Sequence, residues 1–214
     1  VISWLLSGHA TEAVADIISA INSDAVSSAG EFASELRVLR TIAASYPADP
    51  GVVVALLMNL VQLARGEAIF VDAGVFHAYL EGLGVELMAA SDNVLRGGLT
   101  PKHVDVDELL LIADSTPAAL PRLVALLGGG GEVFSPGIPD FALTRFVTSQ
   151  SENTLTLDGP AIVLATRGAV TLRSASGEEV TLTAGAAAFA TSDEASLVTS
   201  GLGELFIAQP GQAT

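Results

Sequence analysis

Apolar residues recur at helical spacing along the first part of the chain. One run spans residues 13–21 and a second spans residues 32–42, and in each run the apolar positions fall three or four residues apart. The stretch between them, residues 22–30, is rich in Ser, Ala and Gly and separates the two predicted helices. Residues 46–51 end the helical part, because their two prolines and one glycine cannot continue a helix.

The pattern changes over residues 52–114. One more helix is predicted first, and then short apolar runs such as residues 68–71 alternate with glycine-rich turns, which favours sheet. Residues 107–112 predict a brief helix. Residues 115–140 contain prolines and the glycine run 128–131, and we interpret them as a connector.

Residues 141–209 form a predicted ladder of short strands. The candidate strands are residues 161–166, 169–173, 179–182 and 204–208. Five glycines are expected at or near the turns between strands: Gly168, Gly177, Gly185, Gly201 and Gly203. Closely spaced strands with glycine turns are typical of a sandwich or a jelly roll. The chain as a whole is therefore predicted to be α+β.

Composition restricts the possible functions. The 214 residues carry 24 acidic against 9 basic side chains, a formal net charge of −15. A field of that sign repels nucleic acid and anionic membrane surfaces. The longest apolar stretch, residues 52–64, is too short to cross a bilayer, and no signal peptide is evident. The absence of cysteine excludes thiol chemistry and fits a reducing compartment, so we expect a cytoplasmic protein without nucleic-acid or membrane partners.

A metal-binding pattern lies at residues 66–77. Gly66 is followed by five residues, a turn position at Asp72, then Gly74, two residues and His77. This spacing resembles the second metal-binding motif of the cupins, although cupins usually carry proline where Asp72 stands. We expect a tight turn at Ala73 and Gly74, after which His77 faces into a barrel as a neutral imidazole, a good zinc ligand. On spacing alone, a hydrogen-bonded histidine near a core is an equally good interpretation.

The segment after His77 is more specific. Residues 91–102 run Ser-Asp-Asn-Val-Leu-Arg-Gly-Gly-Leu-Thr-Pro-Lys. The run closely resembles the signature region of type I mannose-6-phosphate isomerase, in which a metal-binding histidine leads into Ser-Asp-Asn-x-x-Arg-x-Gly-x-Thr-Pro-Lys. The resemblance is dense over residues 47–107 and weaker on either side.

This resemblance implies a domain organisation and an activity. It implies a helical domain over residues 1–50, the second half of a catalytic cupin with its connector over 51–140, and a C-terminal cupin-like β domain over 141–214. The fold class is then a helical segment followed by cupin-type jelly-roll barrels. The implied activity is zinc-dependent interconversion of mannose 6-phosphate and fructose 6-phosphate through an enediol.

The resemblance also implies the site residues. His77 matches the zinc histidine and Arg96 matches the active-site arginine. Four further residues match positions that line the pocket: Tyr79, Glu86, Asp92 and Lys102.

Each of these residues has a functional and a structural interpretation. We assign Arg96 to the charge of the enediolate, since a guanidinium stays protonated and donates in a fork, and Glu86 to proton transfer. Lys102 suits a phosphate or a sugar oxygen, and Asp92 suits the orientation of Arg96. Alternatively, Glu86 only pairs with Arg96, Asp92 caps a turn, Lys102 is solvated and Tyr79 only packs.

Three further zinc ligands are expected from outside this sequence. In the family, a glutamine, a histidine and a glutamate come from the front half in runs resembling Gln-x-His-Pro and His-Lys-Pro-Glu, and neither run occurs here. His9 has no acidic or histidine neighbours, and the family fixes no ligand at the position of His103. Because the sequence begins at Val1 and runs at once into apolar residues, we expect a longer protein, or an N-terminal fragment as partner. Two alternatives stay open: a non-catalytic sugar-binding cupin with a degenerate metal site, and a structural or partner-binding fragment.

Overall fold

Helices precede strands along the chain, as the sequence predicts. The computed structural model describes residues 1–23, 30–91 and 93–212. In this part of the chain the helices are α1 Ile2–Leu6, α2 Thr11–Asn22, α3 Ala33–Ser45, α4 Gly51–Leu56 and α5 Val106–Ile112. The strands are β1 Ala68–Ile69, β2 Arg122–Leu123, β3 Leu126–Gly128, β4 Gly131–Phe134, β5 Ala142–Val147, β6 Asn153–Thr156, β7 Ala161–Arg173, β8 Glu179–Thr183, β9 Ala187–Ala190, β10 Ser196–Ser200 and β11 Gly203–Gln209. The predicted α+β class is confirmed, and none of the described helices has the length and apolar character needed to cross a membrane.

The chain divides into two compact units. The first unit contains residues 1–62, 71–82 and 91–120, and the second contains residues 63–70, 83–90 and 121–214. All five described helices lie in the first unit and the described strands lie in the second. The predicted three-part division of the chain stays a prediction.

The helical periodicity of the sequence places the core of the first unit. One cluster joins α1, α2 and α4 to Leu109 of α5, and a second joins α2 and α3 to Val52 of α4. Most residues of the two predicted apolar runs are buried or half-buried there, but Phe32 is 68% exposed because it precedes the first turn of α3. Asp105 starts α5, since its carboxylate accepts the Glu108 amide at 3.1 Å.

The sheet predicted over residues 68–114 is almost absent. β1 has two residues and pairs with β2, and an isolated parallel bridge joins Val75 to Asp114 within the first unit. A strand needs a neighbour to complete its backbone hydrogen bonds. Apart from β1 and the bridge at Val75, the described residues between α4 and α5 form no helix or strand.

The connector predicted over residues 115–140 was wrong in part, because short strands lie within it. The glycine run that suggested a linker is a hairpin turn: Gly128 pairs with Gly131 across β3 and β4, and Gly129 and Gly130 both have positive φ, at 58° and 87°. Two central residues with positive φ are what a tight two-residue hairpin requires. The same composition suits a linker, and the sequence alone does not separate the two.

The second unit is built on an antiparallel sheet whose centre is β7. The described strands follow the order β3-β4-β5-β11-β7-β10-β6, with β8 and β9 also paired to β7. The first part of β7 pairs with β11 and β9, and its last part pairs with β10 and β8. One long strand therefore belongs to both halves of the sheet, and the apolar core of the unit is formed by residues on those strands.

Two strands predicted at residues 161–166 and 169–173 are one strand, and the turn expected at Gly168 was wrong. The buried positions of β7 are 161, 163 and 165 before this glycine but 170 and 172 after it. The alternation therefore shifts by one residue at Gly168, whose φ is +74°. A Cβ atom there would lie 2.0 Å from the Leu202 carbonyl oxygen. Gly168 marks the place where β7 passes from one half of the sheet to the other.

A buried ion-pair cluster ties the segment before β1 to this sheet. Glu204 of β11 is 5% exposed and accepts the Nε hydrogen bond of Arg145 at 2.6 Å, while Arg65 bonds its other oxygen. Arg145 also bonds Glu132. Burial raises the pKa of the Glu204 carboxyl, but the hydrogen bonds from Arg145 and Arg65 outweigh burial, and the net pKa lies below its usual range. Arg65, which directly precedes the metal-type motif, is thereby held against β5 and β11.

We predict that Gly168→Ala destabilises the chain far more than Gly177→Ala. Both glycines have positive φ, and this conformation costs an L-residue about 1–2 kcal/mol. A Cβ at Gly177 meets open space, whereas one at Gly168 meets backbone. Urea denaturation should therefore show a free energy of unfolding lowered by about 1 kcal/mol for Gly177→Ala and by about 3 kcal/mol or more for Gly168→Ala. Equal losses would contradict the role given to Gly168.

Candidate active site

The turn before His77 is fixed against the end of α5. A Cβ atom at Gly74 would lie 2.6 Å from the Ile112 carbonyl oxygen, so only glycine fits this approach. The Gly74 carbonyl accepts the Asp114 amide at 2.9 Å, next to the bridge between Val75 and Asp114. The tight turn expected from the motif spacing is present, and its neighbour is a helix end within the same unit.

The residue before His77, Phe76, is held in the apolar core of the first unit. The Phe76 ring packs against the buried cluster that contains Leu109, together with Leu95. Phe76 is half-buried against this cluster, whereas the next residue, His77, is exposed.

The imidazole of His77 is oriented by its own backbone. Its Nδ1 lies 3.0 Å from the Val75 carbonyl oxygen. A carbonyl oxygen can only accept, so Nδ1 donates this bond, and in the neutral imidazole the lone pair is on Nε2. Metal-binding histidines are oriented in this way, with one ring nitrogen bonded to a carbonyl and the other free for the ion.

The prediction that His77 faces into a barrel was wrong for the described chain, because the imidazole is exposed. The strands that would enclose it are not formed by the described residues. Within that part of the chain, no three His, Asp or Glu side chains are grouped so that they could hold a metal ion. His77 therefore fits zinc as one ligand, and the described residues do not complete a zinc site.

The segment carrying Arg96 packs directly on the residue before His77. A Cβ atom at Gly97 would lie 2.6 Å from Cε1 of Phe76, so the two segments approach as closely as a glycine allows. Because Gly97 and Phe76 are in contact, the adjacent residues Arg96 and His77 lie in one region of the first unit. Arg96 is half-buried.

The other predicted site residues that the structure describes are exposed, and they are divided between the two units. Tyr79 is 72% exposed, and its ring lies edge-on to the His77 ring with centroids 6.0 Å apart. Lys102 is exposed and follows a turn in which its amide bonds the Thr100 hydroxyl at 3.1 Å. Glu86 is exposed and belongs to the second unit. Asp92 lies outside the described residues.

The sequence interpretation missed Asp49. Its carboxylate accepts the Gly51 amide at 2.7 Å through Oδ1 and the Leu99 amide at 3.0 Å through Oδ2. The segment around it, rich in proline, was interpreted only as a helix end. An Asp between two helix-breaking residues is the available signal, because such side chains bind nearby backbone amides. The distant Leu99 partner has no signal in the sequence.

Known proteins resemble this chain over part of their own length. No protein-family model matches it. Mannose-6-phosphate isomerase of Escherichia coli (strain K12) is 37% identical over 171 residues, which cover 79% of this chain and 44% of that protein. The enzyme of the same name from Rattus norvegicus is 41% identical over 134 residues, which cover 59% of this chain and 32% of that protein.

A solved structure agrees in fold. Mannose 6-phosphate isomerase from Salmonella typhimurium, bound to its substrate fructose 6-phosphate and zinc, matches with a TM-score of 0.82 and 32% identity. The match covers 98% of this chain and 53% of that one, so the chain spans about half the length of the relatives it matches. The partial match is consistent with the predicted C-terminal portion, and the predicted cupin-type fold class is confirmed. By sequence and by fold, the chain is similar to a C-terminal portion of the mannose-6-phosphate isomerases.

Proposed function

We propose that this chain supplies part of the active site of a zinc-dependent isomerase that interconverts mannose 6-phosphate and fructose 6-phosphate. The observation that carries the proposal is the juxtaposition in the first unit: His77 with its Nε2 lone pair available, next to the segment that bears Arg96. The Salmonella typhimurium relative was solved with fructose 6-phosphate and zinc, which supports the same substrate class for this chain.

His77 is the residue of this chain that would hold zinc, through Nε2. The remaining ligands would come from the part of the family's length that this chain does not match. Zinc in such a site polarises carbonyl and hydroxyl oxygens of the sugar.

The reaction moves one carbon-bound proton and one hydroxyl proton. A base takes the proton from C2 of the open-chain aldose and returns it to C1, while a proton passes from O2 to O1. The intermediate enediol has negative charge on its oxygens while the protons are in transit. Reversal of the same steps converts ketose to aldose.

The chain's own side chains suit these steps. Arg96 stabilises the oxygens of the enediolate, because its guanidinium stays charged and donates two parallel hydrogen bonds. Lys102 binds the phosphate or a sugar oxygen, and the role of Glu86 in proton transfer stays a prediction. Tyr79 lines the pocket beside His77, and the role of Asp92 toward Arg96 stays a prediction.

A second candidate is a non-catalytic member of the family. The exposure of His77 in the described chain favours it. A coupled assay that converts fructose 6-phosphate to mannose 6-phosphate separates the two candidates. Turnover in a form that includes the front half supports the isomerase, and its absence there supports the non-catalytic protein.

We predict that Arg96→Ala lowers kcat about a hundredfold or more in that complete form, because a charged donor acting in the transition state is lost. Arg96→Lys should also be slow, since an ammonium cannot reproduce the fork. Arg173→Ala is the control: it removes an arginine of β7 that pairs with the exposed Glu152. Steady-state kinetics measure kcat for each variant. Near-normal turnover in both Arg96 variants would mean that this arginine has only a structural role.

We predict that the 214-residue chain alone neither retains zinc nor isomerises sugar phosphates, whereas the complete form does both. One imidazole leaves the ion largely hydrated, and catalytic zinc sites use about three protein ligands. Metal analysis after dialysis should give far less than one zinc per chain for the 214 residues and about one for the complete form. His77→Ala should abolish zinc retention in the complete form, while His103→Ala should not. Stoichiometric zinc on the 214-residue chain would place further ligands within it.

A further inference from the structure

We infer that Asp49 is a positioning residue for the segment that carries Arg96, an inference that rests on the proposed isomerase function. Asp49 lies between α3 and α4, 50 residues from Leu99 along the chain, and the hydrogen bond between its Oδ2 and the Leu99 amide joins the two. Leu99 is three residues beyond Arg96. The carboxylate thus holds the candidate arginine's segment on the helical core of the first unit.

The backbone around Leu99 needs such a restraint. Leu99 has a φ of +54°, a left-handed conformation that is unfavourable for a non-glycine residue. A Cβ atom at the preceding Gly98 would lie 2.9 Å from Oδ1 of Asp49 and 3.0 Å from the Gly51 Cα. Strained conformations persist where surrounding contacts fix them, and they concentrate at functional sites. The hydrogen bond from Asp49 to the Leu99 amide is such a contact. It is made beside Gly98, where the segment that carries Arg96 lies close to Asp49 and Gly51.

Two residues that follow Arg96 make contacts that hold its segment in place. Gly97 rests on Phe76, the neighbour of His77, and Leu99 is held by Asp49. A displacement of about 1 Å in a catalytic group costs on the order of a hundredfold in rate. Loss of the Leu99 bond should therefore act on turnover through Arg96, although Asp49 itself is given no contact with the substrate.

Asp49 also bonds the Gly51 amide at the start of α4, so a variant must separate the two bonds. Asp49→Ser does so, because a serine hydroxyl can accept an amide two residues on but is too short to reach Leu99. Asp49→Ala removes both bonds. Asp105→Ser is the matched control, since it changes another aspartate that accepts a backbone amide in the same unit and keeps a good helix cap.

The first measurement is amide hydrogen exchange by NMR on the 214-residue chain. Asp49→Ser should speed exchange of the Leu99 amide about tenfold or more while leaving the amides of α4 protected, and Asp105→Ser should leave Leu99 unchanged. Unchanged Leu99 exchange in Asp49→Ser would overturn the inference, whatever the activity of the protein.

The second measurement is steady-state kinetics with fructose 6-phosphate in the complete form. Asp49→Ser and Asp49→Ala should both lower kcat about tenfold or more with KM changed less than about threefold. Neither should slow an Arg96→Ala enzyme further, because the effect passes through Arg96. Turnover restored by serine, or additive losses in the double variant, would overturn the inference by limiting Asp49 to the start of α4. An inactive wild-type complete form would instead overturn the proposed function.

Discussion

The contact of the Phe76 ring with Gly97 is the constraint on which the candidate site depends. It joins two segments that are separated along the chain, one ending in His77 and the other bearing Arg96. Because Phe76 is packed against the buried cluster that contains Leu109, the contact belongs to the apolar core of the first unit and not to a surface loop. A larger residue at position 97 would require the aromatic ring to move and would separate the two segments. The chemistry proposed for this chain is therefore built on the packing of a helical core.

Features determined by local sequence could be predicted. Helical spacing identified α2 and α3, and short apolar runs with glycine turns identified β7, β8 and β11 of the second unit. The motif spacing identified the turn at Gly74, and the long ordered resemblance over residues 91–102 identified the family. These features share one property, namely that the residues that determine them lie within a few positions of one another. The individual roles assigned to the site residues remain predictions.

Features that depend on distant partners could not be predicted. The segment after α4 has the composition of strands, but extended segments form sheet only when a neighbour completes their hydrogen bonds, and the described residues hold few. His77 was expected inside a barrel from the spacing of its motif and is exposed in the described chain. Gly168 was expected in a turn because nothing in the neighbouring sequence indicates that the Leu202 carbonyl approaches it in the folded chain. Asp49 could be recognised as a turn former, but its bond to Leu99 exists only in the folded chain.

The central claim is that His77 and Arg96 belong to one zinc-dependent sugar-phosphate site. The most direct test is a crystal structure of the complete form with zinc and fructose 6-phosphate, with an anomalous difference map collected at the zinc absorption edge. The account predicts zinc on Nε2 of His77, Nδ1 still bonded to the Val75 carbonyl, and the Arg96 guanidinium within hydrogen-bonding distance of the sugar oxygens. Zinc bound elsewhere, with His77 facing solvent and Arg96 directed away from the sugar, would contradict it.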